Sequence, residues 1–301
     1  MTSQSIPPLV RPHKRPTLPL PPNAADCHMH VFGPFDRFPL AARRAYDVPE
    51  APLAAHEAMK RDVGLARTVI VQPSGYDTDN RCTLAALAEL GARGRAIVVV
   101  EPDIADREIE ALHRAGVRGV RLNLVSVKGR YGDPTALFQT YAARLKPLGW
   151  HVQLFAENAQ IAELEPVLAK APIDIVVDHM SLPDARAGLG QPGFQAMVRL
   201  LGRGHIWAKL AGADRVTQHT GKLADAIPFM QVLVKTNADR LVWGTDWPHI
   251  GFHTGGAGGG LVPYRPLDAG ELLDLLAAAV PDAGQREKIL SANPARLYQF
   301  G

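Results

Sequence analysis

The sequence predicts one α/β domain, a single (β/α)8 TIM-type barrel preceded by an extended, Pro-rich N-terminal arm. Three observations carry this expectation. Eight short apolar runs recur along the 301 residues, each followed by a helical pattern. The runs are nearly continuous in Val, Ile and Leu rather than alternating, as in parallel strands covered on both faces. Polar residues gather at the C-terminal ends of the runs, where barrel enzymes carry their sites.

In chain order, residues 1–22 form the expected arm and residues 23–301 the barrel domain. Seven prolines and several basic residues stand between Met1 and Asn23, with no apolar stretch of signal-peptide type. Such a segment favours an extended conformation lying on the domain or on a neighbouring subunit. The first strand, Ala24–Phe32, leads through a long insert, Gly33–Pro52, to a helix at Leu53–Val63 stopped by Gly64. Strand Arg67–Gln72 precedes helix Cys82–Leu90 with its stop at Gly91, and strand Ala96–Glu101 precedes helix Asp106–Ala115 with Gly116. Strand Val117–Leu124 precedes helix Thr135–Leu145 with Gly149. The series continues as His151–Phe155 with Ile161–Ala169, Asp174–His179 with Phe194–Leu201, and His205–Leu210 with Leu223–Val234. The eighth strand, Arg240–Asp246, runs into a glycine-rich insert, Gly251–Gly260, and then helix Leu272–Ala279. Gln285–Phe300 adds a closing helix or two. The glycines of Gly255–Gly260 have no following Lys-Ser/Thr and do not follow a first strand, so they read as a mobile loop over the barrel mouth rather than a phosphate loop.

Bulk properties exclude several functions. Net charge is +3, too small to favour nucleic acid or a membrane surface. No apolar run approaches the ~20 residues of a membrane span. The two cysteines, Cys27 and Cys82, suggest no disulfide framework. The expected location is cytoplasmic. Cys27 alternates with the neighbouring histidines, which predicts that it points outward into strand–helix packing as a small hydrophobe. Nothing in the sequence specifies an oligomeric state.

The chemistry sits at the strand ends. His28 and His30 in Asp26-Cys27-His28-Met29-His30 share one face of the first strand, because residues two apart on a strand point the same way. Asp246, in Gly244-Thr245-Asp246-Trp247, can aim a carboxylate at the same spot, and His179 can add a third imidazole. Further polar groups at strand ends are Gln72, Ser74, Glu101, Arg121, Asn123, Gln153, Asp178 and Lys209. One such residue alone reads as a hydrogen-bonded polar group inside the barrel; the three histidines with Asp246 read as a hydrolytic site. Arg121 lies within a strand, and Arg130 and Arg215 in loops on the catalytic side. Guanidinium groups bind carboxylates in bidentate fashion, so several over the mouth suit a substrate with more than one carboxylate, a salt bridge to Asp or Glu being the alternative for each.

Several of these runs resemble one family closely. Asp26-Cys27-His28-Met29-His30-Val31-Phe32-Gly33-Pro34, Val71-Gln72-Pro73-Ser74, Gly119-Val120-Arg121-Leu122-Asn123, Asp178-His179-Met180, Gly244-Thr245-Asp246-Trp247-Pro248-His249 and Asn293-Pro294-Ala295-Arg296-Leu297-Tyr298 are similar to the 2-pyrone-4,6-dicarboxylate hydrolase branch of the amidohydrolase superfamily. The resemblance implies an amidohydrolase-like barrel that hydrolyses a lactone carrying carboxylates. It implies that Asp246 is the general base, that His28, His30 and His179 polarise the lactone carbonyl, and that Tyr46, Ser74, Arg121 and Arg215 bind the substrate. Arg130 would join them, with Lys128 as the alternative. The physics agrees with such roles. A carboxylate within ~3 Å of a water can take its proton. Hydrogen-bond donors facing the carbonyl stabilise the oxyanion by a few kcal/mol each.

Three His and one Asp could also hold zinc with a place for water. Other branches of the superfamily work that way, whereas the pyrone-dicarboxylate branch works without metal. The expectation is catalysis without a cofactor, with a single divalent ion on His28, His30, His179 and Asp246 as the alternative. No lysine is placed on the fourth or fifth strand to be carboxylated, against a binuclear site. The Gly251–Gly260 insert is longer than the family pattern, which puts the ring at issue before the reaction. Alternatives are another lactone, of muconolactone or sugar-acid type, a zinc-dependent decarboxylase of the same superfamily, or a non-catalytic organic-acid binder. The expected partner is a small anionic lactone.

Overall fold

The computed structural model describes residues 9, 11–125, 132–252 and 260–301. Eight parallel strands follow one another around a single sheet in sequence order. They are β1 Ala25–Met29, β2 Arg67–Val71, β3 Gly94–Val98, β4 Val117–Asn123, β5 His151–Phe155, β6 Ile175–Val177, β7 Ile206–Leu210 and β8 Leu241–Trp243. The sheet closes just past β8. The Asp246 N–H donates to the His28 carbonyl at 2.9 Å, and the His30 N–H donates to the Trp247 carbonyl at 2.8 Å. The expected (β/α)8 barrel is therefore present, and the residues that close it are those that carry its candidate chemistry.

The helices are α1 Leu53–Val63, α2 Arg81–Leu90, α3 Asp106–Ala115, α4 Pro134–Leu145, α5 Asn158–Leu168 and α6 Pro192–Leu201. Then come a short α7 Ala213–Val216, α8 Ile227–Asn237, α9 Ala269–Ala279, α10 Ala283–Glu287 and α11 Asn293–Tyr298. Capping explains why some begin before their apolar pattern does. Asp133 accepts from the N–H groups of Thr135 and Ala136, with Pro134 in the first turn of α4, and Asp268 caps α9 in the same way. Leu223–Ala226 is a 3-10 turn, so α8 starts later than its apolar spacing suggests.

β6 and β8 are shorter than expected, because both chains leave the extended conformation to reach the mouth. His179, Met180, Ser181 and Leu182 all have positive φ, from 49° to 67°. Asp246 has φ 62°. Non-glycine residues pay for this conformation with local strain and hold it where the surroundings over-determine them. Gly244 lets the chain lie on β1: a Cβ there would stand 2.6 Å from the His28 nitrogen.

The barrel interior has two levels. At the bottom Ala25, Cys27, Val69, Val71, Ile97, Val176, Trp207 and Val242 form an apolar cluster, closed from below by Leu297, Tyr298 and Phe300. Above it lie the buried polar side chains Arg121, Gln153, Asp178 and Lys209. The placement of Cys27 corrects the alternation argument. The β1–β2 register shifts between Asp26 and Met29, and this irregularity turns Cys27 inward together with His28. Asp26 faces the other way. It accepts from His56 Nε2 at 3.0 Å and from Thr245 Oγ1 at 2.6 Å, tying β1 to α1 and to the turn after β8. Both cysteines are free and buried.

Part of the arm lies along α1 and α9. The His13 N–H donates to Asp62 and Lys14 Nζ pairs with Asp274 at 2.8 Å. Of the Gly255–Gly260 stretch, only Gly260 is among the described residues. Among them no helix is long and apolar enough to cross a membrane.

Candidate active site

The ends of β1 and β8 and the turn after β6 bring Asp246, His28, His30 and His179 together. Asp246 Oδ1 lies 3.7 Å from His28 Nε2, 3.7 Å from His30 Nε2 and 3.8 Å from His179 Nε2. Its Oδ2 accepts from Arg215 Nε at 2.7 Å. The His28 ring is 5.0 Å from His30 and 4.7 Å from His179, centroid to centroid. His30 Nδ1 is 2.8 Å from the Val71 carbonyl and donates to it, while Nε2 faces the mouth. Gly212 lies against His179, where a Cβ would stand 2.7 Å from Nδ1.

Charge sets the protonation. Burial alone would raise the Asp246 pKa, but the Arg215 guanidinium and the three imidazoles outweigh it and hold the carboxyl well below the usual range. Burial depresses His179 to about 4, against the pull of Asp246 and Asp178. Burial first, and then the Lys209 charge, drives His28 well below the ordinary imidazole value. At neutral pH the ionised Asp246 carboxylate stands beside neutral His28 and His179 imidazoles.

The expected substrate groups lie nearby. Tyr46 Oη and Ser74 Oγ are 3.0 Å apart. Tyr46 is pushed up by burial while Ser74, Arg121 and Arg215 pull the other way, which places its hydroxyl in the field of both arginines. Arg121 donates to the Gln72 carbonyl at 3.1 Å, faces Asp178 Oδ2 at 3.7 Å and lies over the Phe155 ring. Arg130 and Lys128 fall outside the described residues. Gln72, read as a strand-end polar group, turns away from the mouth: it accepts from Thr83 and donates to the Asp77 and Asp79 carbonyls. Glu101 is exposed beyond the end of β3.

The sequence marks Asp178, Gln153 and Lys209 as polar groups at strand ends and assigns them no role. They form one buried group beneath His28. Lys209 Nζ lies 2.9 Å from the Cys27 carbonyl, 2.7 Å from Gln153 Oε1 and 3.3 Å from His28 Nδ1. Gln153 Nε2 donates to Asp178 Oδ2 at 3.0 Å. The signal available beforehand was three polar residues at inward positions of consecutive strands.

Among the described residues, two sets of donors each lie within 4.8 Å of one another, His28–His30–Asp246 and His28–Asp178–His179. In the set with Asp246 a divalent ion would need a lone pair from His28 Nε2. Lys209 Nζ lies 3.3 Å from the other ring nitrogen, Nδ1, and Asp178 Oδ1 is 3.3 Å from that same atom. Arg215 already neutralises Asp246. With Lys209 against His28 and Arg215 on Asp246, two cations crowd the donor sets and do not fit a metal ion as these residues are arranged.

The sequence pattern of the amidohydrolases matches residues 25–300. The chain belongs to the amidohydrolase family. This amidohydrolase is 35% identical over 295 residues to the 2-pyrone-4,6-dicarboxylate hydrolase of Comamonas testosteroni, covering 94% of this chain and 92% of that protein. It is also 35% identical over 280 residues to the 4-sulfomuconolactone hydrolase of Hydrogenophaga intermedia, covering 93% and 89%. A solved Pseudomonas putida structure, provisionally named a 2-pyrone-4,6-dicarboxylic acid hydrolase, superimposes with a TM-score of 0.78 at 33% identity, covering 94% of this chain and 99% of that one.

Proposed function

We propose that this amidohydrolase opens a lactone carrying two anionic groups, 2-pyrone-4,6-dicarboxylate first, by a water that Asp246 activates without metal. The observation that carries the reading is the position of Asp246 Oδ1, 3.7–3.8 Å from three imidazole Nε2 atoms, while Arg215 occupies Oδ2. The buried carboxylate stays ionised and poorly hydrated, as a general base requires. Water attacks the lactone carbonyl carbon as its proton passes to Asp246. Imidazole N–H groups stabilise the oxyanion. The ring C–O bond then breaks, and the ring oxygen takes the proton from Asp246. Arg121, Arg215 and the Tyr46–Ser74 pair hold the anionic groups, which makes attack effectively intramolecular.

A second reading keeps the chemistry and replaces one carboxylate by a sulfonate, because the 4-sulfomuconolactone hydrolase is equally similar. Comparing kcat/KM on the two lactones and on a neutral lactone tests the proposal. Either dianion should exceed the neutral ring by ~100-fold or more, as two charge-assisted contacts demand. Equal rates on the neutral ring would remove the arginines from the account.

A further inference from the structure

The group beneath His28 has a function that the roles of the mouth residues do not include. Lys209 is fully buried, and its ammonium has three N–H donors. Three polar atoms surround it: the Cys27 carbonyl at 2.9 Å, Gln153 Oε1 at 2.7 Å and His28 Nδ1 at 3.3 Å. Asp178 Oδ1, 3.5 Å away, supplies the counter-charge. The competing arrangement would have His28 Nδ1 donate to Asp178 Oδ1, at 3.3 Å. That oxygen has no hydrogen-bond partner among the described residues. The amide of Gln153 is oriented by both sides at once, since its oxygen accepts from Lys209 and its nitrogen donates to Asp178. The other ring nitrogen, His28 Nε2, is buried and has no hydrogen-bond partner among the described residues. It points to Asp246, where the reacting group would sit.

We propose that Lys209 is a positioning residue that fixes His28 as its Nε2–H tautomer, so that His28 is a hydrogen-bond donor to the lactone carbonyl and not a metal ligand. This rests on the lactone-hydrolase reading for its meaning, but the tautomer itself is a property of the resting protein. Gln153 and Asp178 keep the ammonium in place. His28 and His30 thereby act oppositely: Lys209 puts the proton of His28 on Nε2, while the Val71 carbonyl puts that of His30 on Nδ1.

The experiment is long-range proton–nitrogen NMR of the full chain with 15N-labelled histidine, the His28 signals being identified by their loss in His28→Gln. Wild type should show a protonated Nε2 and a bare Nδ1 at His28. A bare Nε2 would overturn the proposal, whatever the enzyme hydrolyses. In Lys209→Met the proton should move to Nδ1, towards Asp178, and kcat should fall ~100-fold with KM changed little, as for loss of one oxyanion donor. If Lys209→Met loses activity while His28 keeps its Nε2 proton, the effect is structural and the proposal fails. The wild-type spectrum decides even where Lys209→Met does not fold. Absence of lactone turnover together with the predicted tautomer would instead count against the proposed function alone.

Discussion

At Asp246 the two carboxylate oxygens face different partners, three imidazoles on one side and the Arg215 guanidinium on the other. The second contact keeps the group ionised; the first leaves room for a water and a carbonyl. Arg121 divides its contacts in a related way, touching the Gln72 carbonyl and Asp178 while its guanidinium lies over Phe155. Removing its charge should weaken substrate binding more than chemistry. Arg121→Met is expected to raise KM for a dianionic lactone ~10- to 100-fold, the worth of one charged hydrogen bond, with a smaller change in kcat. Steady-state kinetics would show it; an unchanged KM would mean that Arg121 serves only Asp178. The residues that do the proposed chemistry were legible in the sequence because an HxH pair and a late Gly-Thr-Asp-Trp have few structural uses. The Lys209–Asp178 pairing was not legible, since pairing across strands depends on which face each residue occupies.

That face is decided at the level of the element. Strict alternation along β1 would send Cys27 outward, but the register shift between Asp26 and Met29 turns both Cys27 and His28 inward. An irregularity of this kind leaves no mark in a pattern of apolar residues. The early ends of β6 and β8 were hidden for the same reason: the positive φ of His179 and of Asp246 belongs to residues whose type does not call for it. What holds His179 is partly its neighbour. Gly212, at the start of α7, has φ 68° and no side chain where the His179 ring lies. Gly212→Ala should displace that ring and destabilise the fold by about 1–3 kcal/mol through strain in the left-handed region. Paired urea unfolding and kinetics would test it. A variant as stable and as active as wild type would mean that the α7 start yields easily.

Over the whole molecule, an apolar floor sealed by Tyr298 carries a polar upper level. The barrel, its strand order and most helices were legible because apolar runs of strand length alternated with helical spacing; the chain's ends and inserts were less so. This layering makes stability depend on acid. Burial depresses His151 to about 3, and His179 and His249 to about 4. In the unfolded chain they titrate near ~6.5. Between those values only the unfolded state takes the protons, so stability is full above ~6.5 and falls as pH drops towards about 4. Asp26, Asp178 and Asp246, whose folded values are lowered, add their loss at still lower pH. Unfolding free energy should therefore drop on the order of a few kcal/mol between about pH 7 and about pH 5. Identical urea midpoints at the two values would refute the buried neutral histidines.

The most direct test of the proposed chemistry is the ultraviolet-monitored opening of 2-pyrone-4,6-dicarboxylate by chelator-treated wild type and by Asp246→Asn. The account predicts undiminished turnover after chelation, and a rate at least ~10³-fold lower in Asp246→Asn with substrate binding retained. Turnover that vanishes with chelator and returns with zinc, or an Asp246→Asn rate equal to wild type, would contradict it.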